Sequence, residues 1–141
     1  SFVLGIPEIS EQRKQSLWNE IRQRLWEDEL KGARQREKPG HRENGGFWYA
    51  LNGPLVINLK ELDSEAAAEA MKKMTLTRHG ENYPLSWIGL WSGGDSFDST
   101  LIGGKIDKYL YHFPLFCAHA HAWPLYSWLY LNEDYLKEML M

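Results

Sequence analysis

The sequence predicts an α+β fold, and three features of the 141-residue chain carry that expectation. Leu17, Trp18, Ile21, Leu25 and Leu30 recur at helical spacing in the N-terminal part. Two strand-prone runs, Phe47-Trp48-Tyr49-Ala50-Leu51 and Leu55-Val56-Ile57-Asn58-Leu59, flank Asn52-Gly53-Pro54, which has the composition of a tight turn. Near the C-terminus Leu125, Trp128, Leu129, Asn132, Tyr135, Leu136, Met139 and Leu140 return to a helical stripe whose one polar member is Asn132. A long N-terminal helix, an antiparallel sheet containing a β-hairpin over about 47–59, and a C-terminal helix follow. The length suits one domain over 1–141 with its own core.

Pro7, Glu8, Ser10 and Glu11 suit the start of the first helix, because acidic side chains near an N-terminus complement the helix dipole. Gly32 offers its stop, which gives about six turns. Glu20, Arg22, Gln23, Glu27 and Asp28 fall on the opposite, solvated face. Trp26 lies off the apolar stripe, either at its margin or as an anchor for a partner. From Lys31 to Gly46 the apolar stripe is lost, and the stretch reads as a polar flexible loop over about 31–46. Its five basic residues, Lys31, Arg34, Arg36, Lys38 and Arg42, have no interleaved aromatic to stack on bases, which favours a solvated loop over a nucleic-acid contact.

After the expected hairpin, Asp63 or Ser64 caps a helix through Glu65–Met74, where alanines favour helix and Lys72 and Lys73 suit its C-terminal end. Trp87–Trp91 follows Pro84 and precedes Ser92-Gly93-Gly94-Asp95, the pattern of a strand entering a tight loop, and Lys105–Phe113 reads as a further strand. Tyr109 to Asn132 contains no Asp, Glu, Lys or Arg, but the length of that stretch is not matched by its composition for a membrane span. Pro114, Pro124, His112, His119, His121 and Ser127 interrupt it, and each polar group in lipid would require a partner. With no charged-then-apolar leader at the start, the expectation is a soluble, cytoplasmic protein.

Charge is unevenly distributed. Residues 1–78 carry 13 basic and 12 acidic side chains, and residues 79–141 carry 3 basic and 7 acidic, so the second part is at −4. Backbone phosphates demand clustered cations, so nucleic acid is disfavoured and an acidic face suits a basic partner.

Chemical motifs are sparse. Cys117 is the only cysteine, which excludes an intrachain disulfide and a multi-cysteine zinc site. On a strand, His119 and His121 would share a face and begin a zinc or iron site, completed by His112, His79 or Asp107; on a helix the two positions are about 200° apart. Alanine content tilts residues 115–122 towards helix, and Pro124 suits a first helical turn from which a helix runs to the end. The chain has no H-E-x-x-H or G-x-S-x-G motif. Gly103-Gly104-Lys105 lacks the earlier glycine and the following Ser or Thr of a phosphate loop. Asp95 and Asp98 form either a carboxylate pair or a solvated turn. No catalytic residue is assigned, and the chain reads as a non-enzyme without a required cofactor.

Seven tryptophans and seven tyrosines exceed what such a core needs, and both types are enriched at interface hot spots. Trp91, Asp95, Phe97 and Asp98 form the expected contact loop, with carboxylates that speed encounter with a basic groove and aromatics that anchor it. In its single-domain size, mild acidity, tryptophan content and lack of catalytic motifs, the chain resembles the small immunity proteins that neutralise bacterial toxins. That resemblance implies a cytoplasmic, stoichiometric inhibitor covering the active site of a basic toxin domain. A small metal-dependent hydrolase using His119 and His121 and a carbohydrate-binding module with aromatic platforms are the alternatives.

Overall fold

Helix α2 (Tyr49–Leu59) is the centre of the molecule in the computed structural model, which describes residues 2–41, 44–74, 96–102 and 118–140. Tyr49, Asn52, Gly53, Pro54, Leu55, Val56 and Leu59 of this helix are all buried. Around it lie an N-terminal 3-10 turn (Phe2–Gly5), α1 (Glu11–Arg24), α3 (Ser64–Met74), α4 (Ala118–Leu131) and α5 (Glu133–Leu140). Two short antiparallel pairs complete an α+β fold with helices towards both ends: β1 (Trp26–Glu27) with β2 (Gly32–Ala33), and β3 (Phe47–Trp48) with β4 (Ser96–Phe97). An isolated bridge between Arg34 and Phe47 joins the two pairs.

The hairpin expected over 47–59 is corrected by this arrangement. Only Phe47 and Trp48 are extended, and the Asn52-Gly53-Pro54 segment lies inside α2. A proline within a helix costs about 3 kcal/mol. Burying Leu55, Val56 and Leu59, each worth about 1.5–3 kcal/mol, outweighs that cost. The three residues that resemble a turn also have distant partners. Asn52 Oδ1 accepts from the Ala33 amide at 2.7 Å, and its Nδ2 donates to the Ala33 and Trp48 carbonyls at 2.9 and 3.1 Å. Gly53 lies beneath Trp123 of α4. Among the described residues the antiparallel hairpin is β1–β2, with Asp28–Lys31 as its turn and Lys31 at a φ of 49°.

Helix α1 is correspondingly shorter than its apolar spacing predicts. Trp18 and Ile21 are buried as expected, but the helix ends at Arg24. The Arg34 guanidinium donates to the Arg24 carbonyl at 2.6 Å, satisfying an acceptor that further helix would otherwise use. Leu30 is buried from the hairpin turn. Trp26 lies edge-on to Trp18, with ring centroids 5.3 Å apart, and packs partly buried against the core.

The stretch from Lys31 to Gly46, expected to be a flexible loop, holds β2 and the buried Arg34. It folds back on itself through the Gln35 amide to the Gly46 carbonyl at 3.0 Å and the Gly40 amide to the Gly45 carbonyl at 3.1 Å. Gly45 has a φ of 112°, which a residue with a side chain rarely adopts.

Helix α3 forms where its sequence places it. Asp63 is the N-cap, its Oδ1 accepting from the Ala66 amide at 3.0 Å, and Ala66, Ala67, Ala70, Met71 and Met74 turn inward. Helix α4 includes 118–122, in line with the helical reading of those residues; 115–117 lie outside the described residues. Pro124 therefore falls inside a helix rather than in its first turn. The Asn132 amide and side chain both donate to the Trp128 carbonyl, at 3.1 and 2.8 Å, and α5 starts at the next residue.

Candidate functional site

Two features of the described residues exceed what packing requires: a buried polar cluster around Glu27 and an exposed apolar surface on α4 and α5. The cluster forms where β1, the segment after β2 and the residues following β4 converge. Glu27 Oε1 accepts from Arg34 Nη1 at 3.2 Å and from Ser99 Oγ at 2.5 Å, and Oε2 accepts from the Thr100 amide at 2.9 Å and Thr100 Oγ1 at 2.7 Å. The remaining Arg34 donors reach the Arg24, Glu37 and Arg36 carbonyls at 2.6, 3.1 and 3.4 Å. Beside this cluster, His41 Nδ1 lies 2.9 Å from Asp98 Oδ2.

Serine, histidine and carboxylates here invite comparison with a nucleophilic triad, but the connectivity differs. Ser99 Oγ bonds to Glu27, His41 bonds to Asp98, and Ser99 has no exposed surface for a substrate to reach. Fully hydrogen-bonded buried charges of this type hold segments together, and here they fasten Ser99 and Thr100 to Glu27 of the β1–β2 hairpin.

This placement corrects one expected contact residue. Asp98 is 1% exposed with its carboxylate turned to His41, so it does not offer free charge to a partner. Phe97 lies in β4, with its backbone opposite Phe47. Trp91 and Asp95 lie outside the described residues, as do the expected strands at 87–91 and 105–113. His119 and His121 occupy α4, where positions two apart lie about 200° around the axis. No group of three or more His, Cys, Asp or Glu side chains that could hold a metal occurs among the described residues.

The second feature was missed as a site by sequence reasoning. Helix α4 docks on α2 through Trp123 and Ser127, with Ser127 Oγ donating to the Gly53 carbonyl at 3.3 Å. Of the stripe that reads as a core face, Leu125, Trp128, Leu129, Tyr135 and Met139 point the other way. Leu125 is 59% exposed, Trp128 40% and, in α5, Met139 66%, with Tyr126, Leu129, Tyr130 and Tyr135 also exposed. The available signal was the run Leu125-Tyr126-Ser127-Trp128-Leu129-Tyr130-Leu131, which is apolar or aromatic around nearly the whole helix. A helix of that composition is either buried on all sides or presents a surface for something else to cover.

Tyr126 and Tyr130 are four residues apart, as are Leu125 and Leu129, so each pair shares one line of the helix. Trp123 holds Tyr126 edge-on at 6.1 Å between centroids, and Lys60 Nζ sits 5.5 Å from the centre of the Tyr130 ring. In α5, Lys137 bridges to Glu133 at 2.7 Å and to Asp134 at 3.9 Å. The hydrogen bond from Lys137 holds the Glu133 carboxyl below the usual glutamate range, and Glu133 in turn raises Lys137.

A groove of about 370 Å³ between the N-terminal turn and α1 is lined by Val3, Ile9, Arg13, Lys14, Leu17 and Glu20. Lys14 and Glu20 are occupied by Glu11 and Arg24, so few polar groups converge on it. Among the described residues, no helix is long and apolar enough to cross a membrane. Comparison with protein-family models, curated proteins and solved structures finds no match to this chain.

Proposed function

We propose that this chain acts by stoichiometric binding of another protein through the outward face of α4 and α5, in the manner of the immunity proteins that it resembles. The observation that carries this reading is the exposure of Leu125, Tyr126, Trp128, Leu129 and Tyr130 on a single helix whose other side is already docked on α2. These side chains are neighbours on one helix rather than scattered exposed hydrophobics, and aromatic side chains supply much of the binding energy of protein interfaces. Residues 118–140 contain three acidic side chains, Glu133, Asp134 and Glu138, against one basic, Lys137. That balance opposes anionic lipid and nucleic acid and favours a basic protein, such as the catalytic domain of a nuclease toxin.

The test places a photo-crosslinking side chain at Tyr126, at Tyr135 and, as a control, at the exposed Gln15 of α1. The expected result is one basic protein crosslinked from the first two positions and not from the third, forming a one-to-one complex when both proteins are purified. Leu125→Asp should weaken that complex by about tenfold or more, the usual effect of truncating a central contact. Equal labelling from all three positions, labelling of lipid, or recovery of only a second copy of this chain would overturn the reading. A sugar that quenches tryptophan fluorescence without any protein partner would replace it with carbohydrate binding.

A further inference from the structure

Lys60 already places a cation on the aromatic surface. Its Nζ lies 5.5 Å from the Tyr130 ring centre and 3.5 Å from the Tyr130 carbonyl oxygen. From this we infer that the partner docks with arginine side chains, which stack on Tyr126 while their charge is met by Asp134 and Glu138; the inference rests on the protein-binding reading above. The face of a tyrosine or tryptophan ring attracts cations, and a planar guanidinium stacks on it better than an ammonium does.

Lys60 occupies Tyr130 and leaves the ring of Tyr126, one turn earlier on the same line of the helix and exposed, for a cation from outside. Tyr126 already packs T-shaped against Trp123 at an interplanar angle of 78°, which reduces the side-chain freedom lost when a guanidinium settles on its exposed side. Residues 122–131 carry no charged side chain that would compete. In α5, Asp134 and Glu138 are four apart and share a line adjacent to Tyr135 and Met139. Lys137 pairs with Glu133 and, more distantly, Asp134, while Glu138 has no ionic partner among the described residues. Exposed aromatics and an unneutralised carboxylate together match a segment that alternates apolar residues with arginine.

Three synthetic peptides of identical length test this: one alternating leucine and arginine, one with citrulline in place of each arginine, and one with glutamate. Citrulline keeps the planar shape and removes the charge. Fluorescence anisotropy against the full chain should show the arginine peptide binding about tenfold more tightly than the citrulline peptide, with the glutamate peptide weakest. Tyr126→Leu, which keeps the apolar area and removes the ring, should weaken the arginine peptide by about threefold to fivefold. Lys60→Met, which frees Tyr130 and removes a like charge, should strengthen it, an effect that a merely structural role for Lys60 does not produce. Equal binding of the arginine and citrulline peptides, or none by the arginine peptide, overturns the inference. The protein-binding reading fails separately, if crosslinking from Tyr126 finds no protein.

Discussion

Trp123 lies against Gly53, so close that a Cβ at residue 53 would come within 2.8 Å of the indole Cε3. This contact sets the crossing of α4 on α2, because the missing side chain lets the indole reach the α2 backbone. Ser127, one turn later, donates to the Gly53 carbonyl and fixes the register. Gly53→Ala should therefore destabilise the fold. The helix itself favours alanine by about 1 kcal/mol, but overpacking against a large, constrained ring costs about 1–3 kcal/mol. A urea midpoint that falls on Gly53→Ala, and partly recovers when Trp123→Leu is added, is the expected pattern.

Asp63 joins two helices with one carboxylate. Its Oδ1 caps α3 while Oδ2 accepts from the indole Nε1 of the buried Trp18 at 3.0 Å and from Arg22 at 3.1 Å. Asp63→Ala removes the cap and leaves the indole N–H without its acceptor, a loss of about 2–3 kcal/mol. Asp63→Ser retains a capping oxygen but is too short for Trp18, and should fall between the two. Denaturation followed by tryptophan fluorescence and by far-ultraviolet circular dichroism measures both.

Arg34 and Glu27 are buried together, and the ion pair matters more for what it leaves behind than for its own attraction. Arg34→Met would strand a carboxylate whose other partners are the hydroxyls of Ser99 and Thr100 and one amide, and would release the Arg24, Arg36 and Glu37 carbonyls. Breaking one side of a buried pair typically costs about 3–5 kcal/mol. Arg34→Lys keeps the charge but cannot reach all four acceptors, so it should lose less. Amide exchange at Thr100 and Ala33 reports whether residues 98–100 detach from the hairpin before the rest unfolds.

Local chemistry was legible in the sequence and long-range compensation was not. Helix α3 was readable because its cap, alanines and lysines act within a few residues of one another. Asn52-Gly53-Pro54 misled because each residue has a partner elsewhere: Ala33 for the Asn52 amide, Trp123 for Gly53, and a buried helical environment for Pro54. Arg34 looked solvated because it sits in a charged run, and its partner Glu27 looked solvated because apolar spacing extended α1 through it. Pairing of the two emerges only once β1 and β2 turn back on each other. Asp98 was misjudged in the same way, since the aspartate expected in an exposed acidic loop is turned inward to His41. The aromatic surplus was visible in composition, but which tryptophans face outward depended on the α2–α4 contact.

Glu37 and Arg24 give the expected pH response at the surface. Arg24 Nη2 donates to Glu37 Oε2 at 2.6 Å, and that hydrogen bond, then the charge of Arg24, holds the Glu37 carboxyl below the usual glutamate range. A folded-state value below the unfolded one stabilises the fold above the ordinary carboxylate range, and the contribution is lost as pH falls through the lowered folded value. Both side chains are more than half exposed, so the contribution is screened and small. Carbon-detected NMR titration should place the Glu37 midpoint below the usual glutamate range, and Arg24→Gln should move it upward with little change in the urea midpoint.

Leu125 and Leu59 provide the sharpest comparison of the outward and inward faces. Leu59 has no exposed surface, so Leu59→Ala should cost about 2–5 kcal/mol, the transfer and cavity penalties of a core leucine. Leu125→Gln should change stability by less than about 0.5 kcal/mol, because the side chain is already mostly in water. A large loss at Leu125 would mean that its stripe belongs to the core after all, and would remove the surface on which the binding proposal stands. Little loss at Leu125, joined to weaker crosslinking from Tyr126, would separate stability from recognition: the same helix then uses Trp123 and Ser127 to hold the fold and Leu125, Tyr126 and Trp128 to meet a partner.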